Sequence, residues 1–208
     1  MVSKKLASNP IGPLVRSFYE RNTQVVAFEL IGKILVFKQN GQTLSGKIVE
    51  TEAYFGATDP ASHAYRGITP RNRVMFGKAG ISYVYFTYGN HHCLNMVTEA
   101  EGTAGAVLIR SLEPLSGISI MKNRRGEMNG KIKSNEYLTN GPGKLTQAFG
   151  ISREHSGMDL TREPFFVARD KNEKGPLDIQ VAARIGISQA KEMPLRFYLR
   201  TSSFVSVR

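Results

Sequence analysis

The sequence has one cysteine, Cys93, which excludes an internal disulfide framework and fits a reducing compartment. Long apolar runs are also missing. Stretches such as Ala106-Val107-Leu108-Ile109 fall far short of the roughly 20 residues a membrane-crossing helix needs. The opening MVSKKLASNPIG carries two lysines with no apolar segment behind them, so no secretory signal is expected. Repeats, low-complexity tracts and long linkers are absent too. Acidic residues are scarce: 17 Asp and Glu stand against 28 Lys and Arg, a net charge of +11 on 208 residues. Such a surplus attracts polyanions, nucleic acid first and an anionic membrane surface second, although a solubilising surface charge without a partner also fits.

What is present reads as a folded chain. A hydrophobic fraction of 41% and this length suffice to bury a core, and residues 1–208 are expected to form one domain with a loose basic tail up to about Pro13. A helix is expected from an N-cap at Thr23 to Gly32, because Val26 and Leu30 share a face. KILVFKQ then reads as a strand, Asn40-Gly41 as a tight hairpin turn and GKIVETEAY as the returning strand. A Gly/Pro/Asp/Ser-rich loop runs from Phe55 to about Gly80. YVYFTY and CLNMV follow as a second hairpin turning near Gly89-Asn90, and AVLIRSLEP as an apolar strand ending at Pro114. GPGKLTQAFGI opens a helix at Pro142 and closes it at Gly150. PFFVARD and PLRFYL are later strands. The expected class is α+β, a single compact domain with a curved, mainly antiparallel sheet, surrounding helices and a protruding hairpin.

Three stretches carry chemistry. Strand alternation puts Glu50, Glu52 and Tyr54 on one face and Val49, Thr51 and Ala53 on the other. That pattern suits a pocket holding a flat ring beside a base, and it equally suits a solvated sheet face. Two glutamates so close on one face repel, which favours a raised pKa for one of them. Tyr83 and Tyr85 share a face and Tyr88 sits at the turn, where an exposed aromatic could wedge between bases or pack on the core. His91, His92 and Cys93 are adjacent, so they alternate between faces, and no spaced second pair of ligands accompanies them. No metal site is expected.

In combination, AFELIGKILV, VETEAYFGATDPASHAYRG, TPRNRVMFGKAGISYVYFTYGNHHCLNMV, VLIRSLEP, GPGKLTQAFGI and RIGISQAKEMPLRF resemble the alkyladenine (3-methyladenine) DNA glycosylase family, the purine DNA glycosylases that lack a helix-hairpin-helix. The resemblance implies roles at matching positions. Glu52 would activate the attacking water and Arg110 would help hold it. Tyr54, His63 and Tyr85 would line the pocket for a flipped base, with His63 also offering a backbone donor. Asn95 would crowd the exocyclic amine of ordinary guanine, and Tyr88 would intercalate through the minor groove. Met193 and Leu195 stand where relatives often carry tryptophan, and Ala183 where proline is common. These departures concern late packing and part of the DNA-facing surface. The basic segment 121–136 is variable in the family and receives no role.

The implied activity is hydrolysis of the N-glycosidic bond of alkylated or deaminated purines in duplex DNA by base flipping, leaving an abasic site. The damaged bases would include 3-methyladenine, 7-methylguanine, hypoxanthine and ethenoadenine. Water-driven cleavage needs no lysine nucleophile, metal or organic cofactor, so a monofunctional monomer without a cofactor is expected. It would sit in the cytoplasm or nucleoid of a bacterium, otherwise in the nucleus, and away from membranes. Arg71, Arg73, Lys78 and Lys144 are candidate phosphate contacts. A non-catalytic nucleic-acid binding module and a hydrolase of free nucleosides are the rival readings.

Overall fold

A computed structural model describes residues 10–87, 89, 91–126, 134–173 and 175–207. Strand β1 (Pro10–Pro13) and helices α1 (Arg16–Tyr19) and α2 (Thr23–Leu30) come first, then strands β2 (Ile34–Gln39) and β3 (Gln42–Phe55). A 3-10 turn at Arg73–Phe76 leads to β4 (Ser82–Thr87), β5 (His91–Val97) and β6 (Gly105–Ser116). Helices α3 (Ile118–Arg124), α4 (Glu136–Thr139) and α5 (Pro142–Phe149) follow. Strands β7 (Thr161–Arg162), β8 (Phe165–Asp170), β9 (Ile179–Ala182) and β10 (Arg196–Leu199) complete the order. All pairings are antiparallel, in the order β1-β8-β2-β3-β6-β5-β4, with β10 joining β3 to β9. This is an open α+β sheet.

Local chemistry accounts for the boundaries. Asn22 caps α2, its Oδ1 accepting from the amides of Gln24 and Val25 at 3.0 and 3.4 Å. The cap therefore lies one residue before the expected Thr23, whose hydroxyl donates instead to Glu99. Asn40 and Gly41 both adopt positive φ, 51° and 69°, the backbone a two-residue type I′ turn requires. Pro142 opens α5, and Gly150 closes it in the left-handed conformation. Two further expectations are corrected. Strand β6 runs past Pro114 to Ser116, because Pro114 faces Gly46 beside a register irregularity where a missing N–H costs little. Residues 10–13 of the expected loose tail are a strand paired with β8; residues 1–9 lie outside the described set.

The sheet separates packing from chemistry by its pleat. Ala53 of β3, Val84 of β4, Leu94 and Met96 of β5, and Val107 and Ile109 of β6 point into the main core. There they meet Val26, Ala27 and Leu30 of α2 and Leu145, Ala148 and Phe149 of α5. Each fully buried leucine of this kind contributes about 1.5–3 kcal/mol. Alternation then turns the intervening residues to the opposite face: Glu52, Tyr54, Tyr83, Tyr85, Cys93, Asn95, Ala106, Leu108 and Arg110. A smaller cluster of Ala64, Met75, Tyr83, Val97, Ala104 and Ala106 packs on that side.

Candidate active site

A cavity of about 330 Å³ opens on this second face, small enough to suit a ligand of one fused ring system. Tyr54, His63, Tyr83, Tyr85, Asn95 and Arg110 contribute to its wall, with Met75, Leu108 and the Ile185-Gly186-Ile187 segment. The His63 and Tyr85 rings meet edge to face at 4.5 Å, and Tyr83 and Tyr85 lie 5.4 Å apart. Asn95 is anchored by its Nδ2, which donates to the Tyr83 carbonyl at 3.1 Å.

Glu52 is fully buried one layer behind this wall. Three residues that line the cavity hold its carboxylate: the Tyr54 hydroxyl donates to Oε2 at 2.7 Å, and the Ile185 amide to Oε1 at 2.8 Å. The Arg110 Nη1 lies 3.2 Å from Oε1. A carboxylate offers about four lone-pair sites, so a place remains on Oε2 for one more donor.

Arg110 shares the face of Glu52 at a point where both strands are irregular. Ile48 faces Leu112 and Glu50 faces Ser111, whereas Thr51 faces Ile109. Val49 is thus the extra residue on β3, and Arg110 the extra residue on β6, the kind of bulge that re-aims a side chain. The arginine lies between the two glutamates, donating from Nε to Glu50 at 3.1 Å. The repulsion expected between Glu50 and Glu52 is met by this shared cation and, for Glu50, by Arg196 at 2.7 Å. Burial works against the charge of Arg110, but Glu52 and Glu50 outweigh it and raise its pKa.

A second buried pair sets the pocket's edges. Arg184 donates to both Asp59 oxygens at 2.6 and 2.8 Å and to the Ala53 carbonyl at 3.0 Å. Its guanidinium stacks 4.6 Å from the Tyr54 ring centre. Asp59 in turn accepts from the amides of Phe55 and Ala61. The strand bearing Tyr54, the loop bearing His63 and the segment bearing Ile185 are therefore tied at one point. Asn72 fixes the far side of that loop by donating to the His63 and Gly67 carbonyls at 2.7 and 3.0 Å. His63 Nδ1 lies 3.0 Å from the Tyr83 hydroxyl.

These surroundings keep the rings neutral. Burial, then the charge of Glu52, pushes the Tyr54 phenol far above its ordinary value. Burial does the same to Tyr85, with Cys93 adding to it. His63 is held below its ordinary value by burial and by the nearby charge of Arg71.

The structure thus brings Glu52, Arg110, Tyr54, His63, Tyr85 and Asn95 together. Tyr88 lies outside the described residues; the side chains of β4, which precedes it in sequence, become less buried toward Thr87. Arg71, Arg73 and Lys78 are exposed on the loop beside the cavity, with Arg71 5.3 Å over the Tyr85 ring. Lys144 is half-buried and engaged, donating to Asn140 at 2.8 Å. Among the described residues no group of three or more His, Cys, Asp or Glu is arranged to hold a metal. Ile185, the Asp59–Arg184 pair, Arg196 and Ser206 are not legible in the sequence as site components. Of these only Arg196 is a charge placed in a strand; Asp59, Arg184, Ile185 and Ser206 lie in connecting segments.

An open antiparallel sheet with an aromatic cavity and a buried carboxylate behind it defines a class that sequence comparison identifies. Residues 17–203 match the methylpurine-DNA glycosylase (MPG) family, and the chain belongs to that family. Individual relatives bear the name "Putative 3-methyladenine DNA glycosylase". The protein from Carboxydothermus hydrogenoformans is 50% identical over 193 residues, 93% of this chain and 98% of its own. That from Methanoculleus marisnigri is 48% identical over 197 residues, covering 94% and 99%. A Rhodopseudomonas palustris relative is 50% identical over 197 residues, covering 94% and 91%.

Proposed function

We propose that this chain excises alkylated and deaminated purines from duplex DNA by flipping the damaged nucleotide into the aromatic cavity and hydrolysing its N-glycosidic bond. It is a DNA glycosylase of base-excision repair, and DNA is its substrate. The observation that carries the reading is the buried Glu52 carboxylate, held by three residues that themselves line a ring-walled cavity.

Extruding a base costs a few kcal/mol of unstacking, least for a damaged one. Tyr54, His63 and Tyr85 repay part of this by stacking on the extruded purine. The charge of Glu52 stabilises oxocarbenium character at the sugar as the base leaves with the electron pair of the N-glycosidic bond, and as water bonds to C1′ the carboxylate accepts its proton through the open site on Oε2. Arg110 orients the water beside Glu52. A purine alkylated at N3 or N7 already carries positive charge and leaves readily; hypoxanthine needs protonation as it departs. Asn95 discriminates at the base edge, Tyr88 fills the space vacated in the duplex, and Arg71, Arg73, Lys78 and Lys144 meet phosphates. The product is an abasic site in an uncut strand. The protein acts as a monomer in the compartment that holds the chromosome.

A set of duplexes, each bearing 3-methyladenine, 7-methylguanine, hypoxanthine or ethenoadenine, tests this beside the matching free nucleosides. Base release from duplexes alone, with the strand intact, is expected. Equal release from free nucleosides would favour a nucleoside hydrolase, and binding without release a non-catalytic module.

A further inference from the structure

Glu50 is fully buried and carries no part of the proposed chemistry, yet four donors converge on it. Its Oε1 accepts from Arg110 Nε at 3.1 Å, Arg196 Nε at 2.7 Å and the Ser206 hydroxyl at 2.9 Å; its Oε2 accepts the Ser206 amide at 2.7 Å. The Ser206 hydroxyl is used twice, because it also accepts from Arg110 Nη2 at 3.3 Å. Arg196 donates onward to the Val207 carbonyl. The segment around Ser206 is anchored independently where the Ser111 hydroxyl donates to the Phe204 carbonyl at 2.7 Å. The guanidinium of Arg110 is thus gripped on both sides: Glu52 takes Nη1, while Glu50 and Ser206 take Nε and Nη2.

We infer that Glu50 and Ser206 are positioning residues for base excision: together they lock the plane of the Arg110 guanidinium, and through it the carboxylate of Glu52. The inference rests on the proposed roles of Glu52 and Arg110. A guanidinium has a rigid planar fork, so two contacts on one edge fix the direction of the nitrogen on the other. Arg110 needs that constraint because it is the extra residue of a bulge, where no residue of β3 faces it across the ladder. The cooperation of Glu50 and Ser206 also explains why a carboxylate is buried beside a second carboxylate. A neutral side chain at position 50 would leave Arg110 only Glu52 as counter-ion and would take the carboxylate partner from Arg196.

The experiment measures single-turnover base release and lesion-duplex affinity for Ser206→Ala, Ser206→Thr, Glu50→Gln and Glu52→Gln, each with its melting temperature. Ser206→Ala is expected to slow release about tenfold, the equivalent of one hydrogen bond to a charged group, with affinity and melting temperature near the parent's. Ser206→Thr, which keeps the hydroxyl, restores the rate. Glu50→Gln slows release about 100-fold, as misplacement of a catalytic group does. Should Glu50→Gln fail to fold, the two Ser206 variants decide alone. Parental rates in Ser206→Ala, or an equal loss in Ser206→Ala and Ser206→Thr, overturn the positioning role. Release that survives in Glu52→Gln overturns the underlying reading instead, so the two failures are distinct.

Discussion

The Tyr54 hydroxyl donates to the Glu52 carboxylate at 2.7 Å from two residues along the same strand face. A phenol kept neutral by burial is thereby committed as a donor to the carboxylate while its ring faces the cavity. One residue both walls the pocket and holds the base behind it.

Removing only that hydroxyl separates the two duties. Tyr54→Phe keeps the ring, so lesion-duplex affinity should stay within a factor of about two. Base release should slow about tenfold, because a hydrogen bond to a charged group is worth roughly 1.5–3 kcal/mol. Single-turnover kinetics beside equilibrium binding checks this, and loss of affinity at an unchanged rate would contradict it.

Asp59 and Arg184 pair with no side-chain exposure at either partner. Breaking such a pair from one side leaves a buried charge and costs about 3–5 kcal/mol. Asp59→Asn should lower unfolding stability by that order in urea titrations, and a loss under about 1 kcal/mol would contradict the role given to the pair.

His63 yields a pH prediction with a definite sign. Because burial and Arg71 hold its folded pKa below the unfolded value of 6.5, the unfolded chain takes up the proton first as pH falls. The stability contributed by neutral His63 is fully present above about 6.5 and drains away as pH drops toward the folded value. Arg71→Ala removes the second cause, so the His63 pKa should rise toward its ordinary value while burial keeps part of the depression. Titration of the His63 ring protons by NMR reads this directly; an unmoved or lower pKa would refute the contribution of Arg71.

The hairpin between β2 and β3 offers a conformational test away from the site. Gly41 has φ of 69° and open space around its Cα. Gly41→Ala should therefore cost about 1–2 kcal/mol from backbone conformation alone, with base release unchanged. A neutral effect on stability would contradict the turn.

How much of this was legible in the sequence follows from the range of the signals. Pleat alternation is local, so Glu50, Glu52 and Tyr54 on one face and Tyr83 with Tyr85 on another strand could be read directly, as could the Asn40-Gly41 turn. Strands β1 and β9 could not, since four-residue segments holding Pro10 and Pro13, or Gln180 between half-buried Ile179 and exposed Val181, lack an alternation long enough to stand out. The family resemblance supplied Glu52 and Arg110 as partners. It did not supply the register that joins them, with its two opposed bulges, which emerges only once β3 and β6 are paired. Glu50 finds Arg196 and Ser206 at separations of 146 and 156 residues. No periodicity reaches that far; only the completed sheet brings β10 alongside β3.

The central claim is that the Glu52 carboxylate drives hydrolysis of a base held in the neighbouring cavity. Comparing Glu52→Gln with the parent on one duplex carrying a single hypoxanthine measures it most directly, with binding and base release followed in parallel. The account predicts tight retention of the damaged duplex and loss of hypoxanthine release by at least about 100-fold. Release at the parent's rate by the glutamine variant would contradict it.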